Sequence, residues 1–460
     1  MQKTIAVSIY DGDTEKNILR SDVLRHVKTS GHRIVLLIRS EKRLEYYREN
    51  FADSNVVVDL LPSASTRAEA IWNHAGWNSI PTYSVYLRRH DMYLIHKKLL
   101  RYSIERLLGF LGRARLWREL LRMCYWMIPD DYAADVFTKY QPDIVFAPNM
   151  FSAEDCRLLK AARKRGIKTM TTVKSWDVLT TKAFTRVRAD KILVFNELNR
   201  IEAVQLGDYR EDQVIVTGFP QFDVYAQKEA IETREAFCAR MGINPAHHIL
   251  LFAVPGDWKM PFTDEVVKHV DDAIEAGELP RNTTILARVH PKYTCKTEQR
   301  KDFKHVVIDR PGTYFGSGQE KSLDTSAAQT FAWTFTDKDI LHLANSIYHS
   351  DMVLNIESTM TLDGAAFDKP VILIGYDGDR VLPYPESIVR NYDRNHYIYV
   401  MDTKGAALAK NKEELVQAIR RYLDNPKAEE RERVELREKL LYRVDGKSSQ
   451  RVAEAILSSL

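Results

Sequence analysis

One stretch, residues 337–378, DKDILHLANSIYHSDMVLNIESTMTLDGAAFDKPVILIGYDG, constrains the fold more than any other part of the chain. It predicts a helix, a short apolar strand, a hydroxyl-rich turn, a second helix and a second apolar strand. Asp337 or Asp339 can cap the first helix, whose apolar residues Ile340, Leu341, Leu343, Ala344, Ile347 and Tyr348 recur at helical spacing. Residues 352–356 are apolar apart from Asn355, as a parallel strand covered on both faces requires. Glu357, Ser358 and Thr359 then open a helix with a hydroxyl at its N-cap and unpaired backbone N–H groups in its first turn. Such a strand-to-helix junction favours negative charge, through those N–H groups and the helix dipole. An ordinary capped turn is the alternative reading of the same residues.

The rhythm recurs along the chain. A strand over 4–10, the turn Asp11-Gly12-Asp13, a helix over 17–30 ended by Gly31 and a strand over 33–38 make the opening unit of a doubly wound sheet. The loop has one glycine where a dinucleotide fingerprint needs three. Further strands are expected over 55–61, 143–148, 168–173, 191–195 and 214–217, with helices over 153–165 and 197–206. A helix over 233–241 leads to a second cycle, with strands over 248–254, 283–289, 305–308, 352–356, 371–375 and 397–400 and a helix over 266–276. Residues 316–330, rich in Ser, Thr and Gln, read as a mobile loop beside the site. The expectation is an α/β protein of two Rossmann-like domains with a central cleft. They cover 1–225, with a helical insert at about 66–128, and 226–425, followed by a helical tail over 426–460.

Residues 87–126, within that insert, break the alternation and read as a long helical stretch. They carry ten Lys or Arg against three acids, with leucines and aromatic rings interleaved. A basic amphipathic surface of this kind suits the interface of an anionic membrane, and equally suits a helical insert packed on its own domain. Elsewhere composition excludes more than it suggests. The net charge of +4 is too small to argue for nucleic acid, and the four cysteines form no CxxC and no Cys/His cluster. No disulfide scaffold or structural zinc is expected, which suits a reducing compartment. The N-terminus reaches acidic residues too early for a signal peptide, and no apolar run is long enough to span a bilayer. A cytoplasmic protein is expected, in peripheral contact with the inner face of the membrane if the insert binds lipid.

The second chemical signal is Arg288-Val289-His290-Pro291 at the end of a strand. A guanidinium and an imidazole at a strand end next to a helix N-terminus suit a diphosphate held without a metal. Asp363, about one turn past the hydroxyls, is placed to meet ribose hydroxyls or to be a surface charge. Lys174, Trp176 and Asp177 follow another strand end. Asp11 and Asp13 are the candidate general bases, although an Asp-Gly turn that caps the next helix explains them as well. The Asp-x-Asp strings at 11–13 and 377–379 read as readily as turns, so no metal and no cofactor is expected.

RVHP, followed downstream by NIESTMTLDGAAFDKPVI, resembles the His-Pro and Ser/Thr motifs of bacterial GT-B-type transferases. These include the CDP-glycerol glycerophosphotransferases of teichoic-acid synthesis and the sialyl- and Kdo-type transferases of capsule and lipopolysaccharide. KSWDVLTTK and VIVTGFPQFD look like the inter-domain side of surface-carbohydrate proteins of the same superfamily. The resemblance implies a GT-B fold and a nucleotide-sugar or CDP-alditol donor bound by the C-terminal half. His290, Ser358 and Thr359 would contact its phosphates, with Arg288 and His290 stabilising the departing oxygen, and Asp363 would meet the ribose. Glu357 stands where many relatives have Ser, a carboxylate that would repel phosphate unless it turns toward the ribose. The implied enzyme transfers a sugar or glycerophosphate to a saccharide or lipid-linked acceptor in surface polysaccharide synthesis. A UDP-N-acetylglucosamine 2-epimerase-like isomerase and a non-catalytic nucleotide-sugar binding protein are the alternatives.

Overall fold

The computed structural model describes residues 2–460 except 63–65, 130, 183, 258, 292, 294 and 315–332. The loop expected over 316–330 lies outside the described residues. The chain forms two compact units, one of Met1–Asp223 with Lys447–Leu460, the other of Val224–Gly446. The tail is not a body of its own. Its helix Glu430–Leu441 packs on Met360–Ala366 and Asn395–Thr403 in the C-terminal unit, and Ser448–Ser458 packs on Val23–Lys28 in the N-terminal unit.

The N-terminal unit holds a seven-stranded parallel sheet. Its strands are β1 (Thr4–Ile9), β2 (Arg33–Ile38), β3 (Val56–Leu60), β4 (Ile144–Ala147), β5 (Lys168–Thr172), β6 (Lys191–Val194) and β7 (Val214–Val216), in the order β3-β2-β1-β4-β5-β6-β7. The C-terminal unit has β8 (His248–Val254), β9 (Thr283–Val289), β10 (Val306–Asp309), β13 (Met352–Asn355), β14 (Val371–Ile374) and β15 (Ala407–Ala409), ordered β10-β9-β8-β13-β14-β15. Between them in sequence, β11 (Thr313–Tyr314) and β12 (Trp333–Thr334) form a short antiparallel pair. Central strands such as β8 and β13 are apolar along nearly their whole length because helices cover both faces. In each sheet the strand order reverses once, between β1 and β4 and between β8 and β13. Loops at the carboxyl ends of strands flanking such a switch point are the ligand-binding positions of doubly wound sheets.

Three local expectations are corrected. The helix expected over 17–30 is divided into a π-helical turn, Glu15–Leu19, and a short α-helix, Val23–Lys28. Buried Glu15, bonded to Arg43 (2.8 Å) and Tyr47 (2.7 Å), anchors the first turn where it is. Residues 397–400 lie in the helix Asn395–Thr403, and the edge strand is β15 instead. The short run YIYV, with every residue apolar or aromatic, has no periodicity that separates strand from buried helix. In the first helix of 337–378, Thr336 is the N-cap, in a capping box with Asp339.

The basic stretch over 87–126 is not one long helix. Tyr83–Leu94, Leu99–Leu111 and Arg115–Met127, with Arg67–Asn78 before them, form a folded helical insert. Gly112 allows the close approach that turns the chain, since a Cβ there would lie 1.8 Å from the Ser79 carbonyl oxygen. Arg118 and Arg122 point inward, 7% and 4% exposed, and both bond to buried Asp208, at 2.6 Å and 2.7 Å. The outer face instead carries Leu99, Leu100, Ile104, Leu107, Phe110, Leu116, Met123 and Met127, all exposed. Lys97, Lys98, Arg101, Arg106, Arg113 and Arg115 are exposed among them.

Candidate functional site

In the C-terminal unit the loops after β8, β9 and β13 end side by side at the switch point. The loop after β13 carries Glu357, whose backbone has φ +29°, a conformation that costs a non-glycine residue about 1 kcal/mol or more. Its side chain explains how the strain is held. Lys259, from the loop after β8, donates to the Glu357 carbonyl oxygen at 2.6 Å and pairs with its carboxylate at 2.9 Å. Arg394 pairs with the same carboxylate at 3.0 Å and His396 at 3.3 Å. Burial works to raise the Glu357 pKa, but Lys259, the His396 hydrogen bond and Arg394 outweigh it and hold the value at about 2. Glu357 is therefore an ionised strut between loops and not a bare repulsive charge. Counting only permanent charges, its two cations outnumber it by one.

This strut fixes the hydroxyl turn. The Ser358 N–H donates to the Tyr397 hydroxyl at 2.5 Å, and the Met360 N–H donates to Ser358 Oγ at 3.0 Å. Most of the donors expected to be unpaired are thus already used within the chain. Thr359 is the N-cap of Met360–Ala366 but makes no side-chain cap bond. Thr359 is thus the hydroxyl of this turn that makes no cap bond, next to the cations that hold Glu357.

His290 is exposed at the end of β9, with its N–H donating to the Val254 carbonyl at 3.0 Å and its ring against Tyr293, centroids 5.0 Å apart. Gly256 makes room for that ring: a Cβ there would lie 2.7 Å from the Tyr293 side chain. Arg288 is placed otherwise than expected. It lies inside β9, 6% exposed, and pairs with buried Asp309, which also bonds His342 at 2.9 Å. Burial raises the Asp309 pKa, yet His342 and Arg288 bring it below the ordinary value. Arg288 thus pairs with Asp309 inside the core and is not exposed at the strand end. Asp363 is also interior, 3% exposed, and accepts from the Tyr225 hydroxyl at 2.5 Å.

In the N-terminal unit the switch point carries an opposite charge pattern. Lys174, after β5, pairs with Asp11 at 3.2 Å and Asp13 at 2.9 Å. Burial opposes its protonation, but the two carboxylates more than compensate and raise its pKa. Asp11 performs the capping role: it accepts from the Thr14 N–H at 2.9 Å and from Asn149 Nδ2 at 3.0 Å, and is 9% exposed. The Asp13 side chain is 55% exposed and is the more accessible carboxylate of the two. Trp176 is buried, its carbonyl accepting from Asn199 at 3.0 Å, and Asp177 pairs with Lys182 at 3.2 Å. Of the second Asp-x-Asp string, Asp377 accepts from the Ile388 N–H at 2.8 Å and Asp379 pairs with His269 at 2.8 Å. Among the described residues, no three His, Cys, Asp or Glu side chains group in a way that suits a metal ion.

Sequence reasoning did not find Lys259, Arg394, His396 or Tyr397. Lys259 follows β8 at the switch point, a positional signal that was available. Tyr397 lies in a segment expected as a strand, and Arg394 and His396 lie just before it, where no element was expected.

Residues 338–458 match the family model of CDP-Glycerol:Poly(glycerophosphate) glycerophosphotransferase, and this span contains Glu357, Thr359, Arg394 and His396 but not Lys259 or His290. No curated protein sequence matches the chain. Solved structures match over its whole length. A UDP-GlcNAc 2-epimerase from Neisseria meningitidis bound to UDP-GlcNAc is 11% identical, with a TM-score of 0.58, covering 99% of this chain and 100% of that one. A glycosyltransferase from Rickettsia africae is 14% identical, TM-score 0.52, covering 99% of each chain. The wall teichoic acid polymerase TagF is 11% identical, TM-score 0.52, covering 99% of this chain and 89% of that one. The fold is GT-B. Its C-terminal part resembles the CDP-glycerol glycerophosphotransferases, and the GT-B likeness extends over both units. No helix among the described residues is long and apolar enough to cross a membrane.

Proposed function

We propose that this GT-B protein transfers a sugar or a glycerophosphate from a nucleotide-activated donor to an acceptor hydroxyl in the synthesis of a bacterial surface polymer. The observation that carries the reading, with His290 at the end of β9, is the Lys259–Glu357–Arg394–His396 network at the switch point, three of whose members, Glu357, Arg394 and His396, lie in the span that matches the glycerophosphotransferase model. Its permanent excess of positive charge suits a diphosphate and the negative oxygen that leaves when the donor bond breaks. Thr359 supplies a hydroxyl, and the role first given to Arg288 passes to Lys259 and Arg394. Tyr225 already occupies Asp363, which then orders the helix behind the hydroxyl turn in place of binding ribose.

In the reaction the acceptor oxygen attacks the anomeric carbon or the phosphorus of the donor. The bond to the nucleotide phosphate breaks, its electron pair stays on the phosphate oxygen, and the hydroxyl proton passes to Asp13. Lys174, paired with Asp13 at 2.9 Å, holds that carboxylate in place. The residues supply this chemistry with no metal and no cofactor. The exposed apolar and cationic face of the insert makes peripheral contact with an anionic membrane, where a lipid-linked saccharide would be met.

Calorimetric titration with CDP and UDP tests the donor site, and turnover of CDP-glycerol and UDP-sugars with and without saccharide acceptors tests the reaction. Nucleotide binding with acceptor-dependent nucleotide release is the expected result. Sugar interconversion without any acceptor would establish the epimerase reading instead. Binding of neither nucleotide at millimolar concentration would overturn both.

A further inference from the structure

The insert contains a row of stacked rings that the transfer reaction does not use. Tyr83 stacks on Tyr86 and Tyr86 on His90, each with centroids 5.6 Å apart, and Tyr93 stacks on Tyr102 of the following helix at 5.3 Å. Beside this row runs a groove of about 680 Å³, a volume in the range of sites for small organic ligands. Tyr83, Tyr86, Tyr102 and Phe110 line it together with Arg89, Arg106 and Arg113, and none of its lining residues is acidic.

The three arginines differ in a way that shapes the groove. Arg89 is 6% exposed and forms part of the floor, donating to the carbonyl oxygens of Val85 at 3.1 Å, Glu105 at 3.0 Å and Asn78 at 3.3 Å. Its direct hydrogen-bond partners are backbone dipoles, and the buried Glu105 carboxylate acts on it through space without a hydrogen bond to it. Gly109 is what admits it, since a Cβ at 109 would lie 1.3 Å from Arg89 Nη1. Arg106 and Arg113 are exposed and make no ion pair or side-chain hydrogen bond among the described residues. Around them the side chains of Leu107, Phe110 and Leu100 are 57%, 67% and 77% exposed. Guanidinium groups bind phosphate through paired hydrogen bonds, and the adjoining rings and leucines offer an apolar surface.

We propose that this groove binds the phosphate headgroup of an anionic membrane lipid. The phosphate sits between Arg106 and Arg113 above the buried charge of Arg89, and the glyceryl ester region lies against Tyr83, Tyr86 and Phe110. The lipid source follows from the apolar rim, which a free phosphate would leave in water. The proposal deepens the membrane-contact reading above, turning general adsorption into a defined site.

The test is calorimetric titration of the full chain with monomeric dihexanoyl phosphatidic acid, dihexanoyl phosphatidylcholine and glycerol 3-phosphate. It runs beside sedimentation with phosphatidylcholine vesicles containing phosphatidic acid. Phosphatidic acid should bind one to one, at least about tenfold tighter than either other compound. Arg106→Gln with Arg113→Gln, both at exposed positions, should weaken it at least about tenfold while CDP and UDP affinities stay unchanged. Lys97→Gln with Lys98→Gln, outside the groove, should reduce vesicle binding at low salt and leave the soluble lipid's affinity intact. Equal affinity for glycerol 3-phosphate, or an affinity indifferent to the arginine pair, would overturn the site. Vesicle binding lost while one-to-one binding persists would support the groove and remove only the membrane-contact reading.

Discussion

Replacing Glu357 by Gln tests whether the strut at the C-terminal switch point is as strongly ionised as its surroundings require. The Glu357 pKa is lowered from 4.5 to about 2 in the folded protein. A depressed folded-state pKa contributes stability that is fully present above the unfolded value and is lost as pH falls from about 4.5 through about 2. At about 1.4 kcal/mol per pKa unit, the whole linkage is about 3 kcal/mol. With those two values, about 1.4 kcal/mol of it should disappear between pH 6 and pH 3.5. Gln cannot ionise, so Glu357→Gln should be less stable than wild type near neutrality, with Lys259 and Arg394 left without their carboxylate. The gap should narrow by that amount at pH 3.5. Urea-dependent hydrogen exchange of the β13 and β14 amides, read by mass spectrometry, reports the stability of this unit alone. A gap of the same size at both pH values would refute the reasoning, because the carboxylate would then have an ordinary pKa.

Removing the donor-site side chains should weaken nucleotide binding, and for Lys259 it should also loosen the Glu357 strut. His290→Ala and Thr359→Val should each weaken CDP or UDP binding by about 1.5 kcal/mol, and Lys259→Met by up to about 3 kcal/mol, as read by calorimetry. Unchanged affinity in all three would place the nucleotide elsewhere. Asp13→Asn should keep nucleotide affinity and lower turnover by about 10²–10⁴-fold, whereas Asp11→Asn should chiefly lower the melting temperature of the N-terminal unit, since Asp11 is a cap and a bridge. If Asp13→Asn is fully active, the base is another group. Arg118→Glu and Arg122→Glu should each destabilise the insert by about 3 kcal/mol or more through the buried Asp208. A loss of vesicle binding with unaltered stability would contradict their inward placement.

The fold was legible because its signal is redundant. Apolar runs such as HILLFAV and TTILARV, each bounded by turn residues and spaced by helix-length segments, admit little besides a parallel strand. The boundaries of β2, β8 and β9 follow from those runs alone. The candidate site was legible only where it coincides with strand ends. His290, Glu357, Ser358 and Thr359 could be placed at a loop from the strand that precedes them. The partners of Glu357 could not, because Lys259 lies about 100 residues away in sequence and Arg394 and His396 about 40 on the other side. Arg288 shows the converse difficulty. An arginine two residues before a histidine at a strand end looks like a ligand, and only the three-dimensional neighbour Asp309 reveals that its charge is already taken.

The two units share one strand order around their switch points, yet they place opposite charge there. In the N-terminal unit one lysine stands between two carboxylates, Asp11 and Asp13, leaving a net negative cluster with one accessible oxygen acid. In the C-terminal unit one carboxylate, Glu357, stands between Lys259 and Arg394, leaving a net positive cluster. Sheet topology fixes where such clusters form but says nothing about their sign, which is set by a handful of loop residues. Group transfer from a nucleotide donor needs both signs: negative charge to take a proton from the attacking hydroxyl, and positive charge to hold the phosphate oxygen that leaves. A protein that only held a nucleotide would need the second cluster and would have no use for the first. Under the proposed transfer reaction, Asp13 is for that reason the residue whose exchange would separate catalysis from binding. Its exchange for Asn, with nucleotide affinity retained and turnover lost, is what a transferase requires.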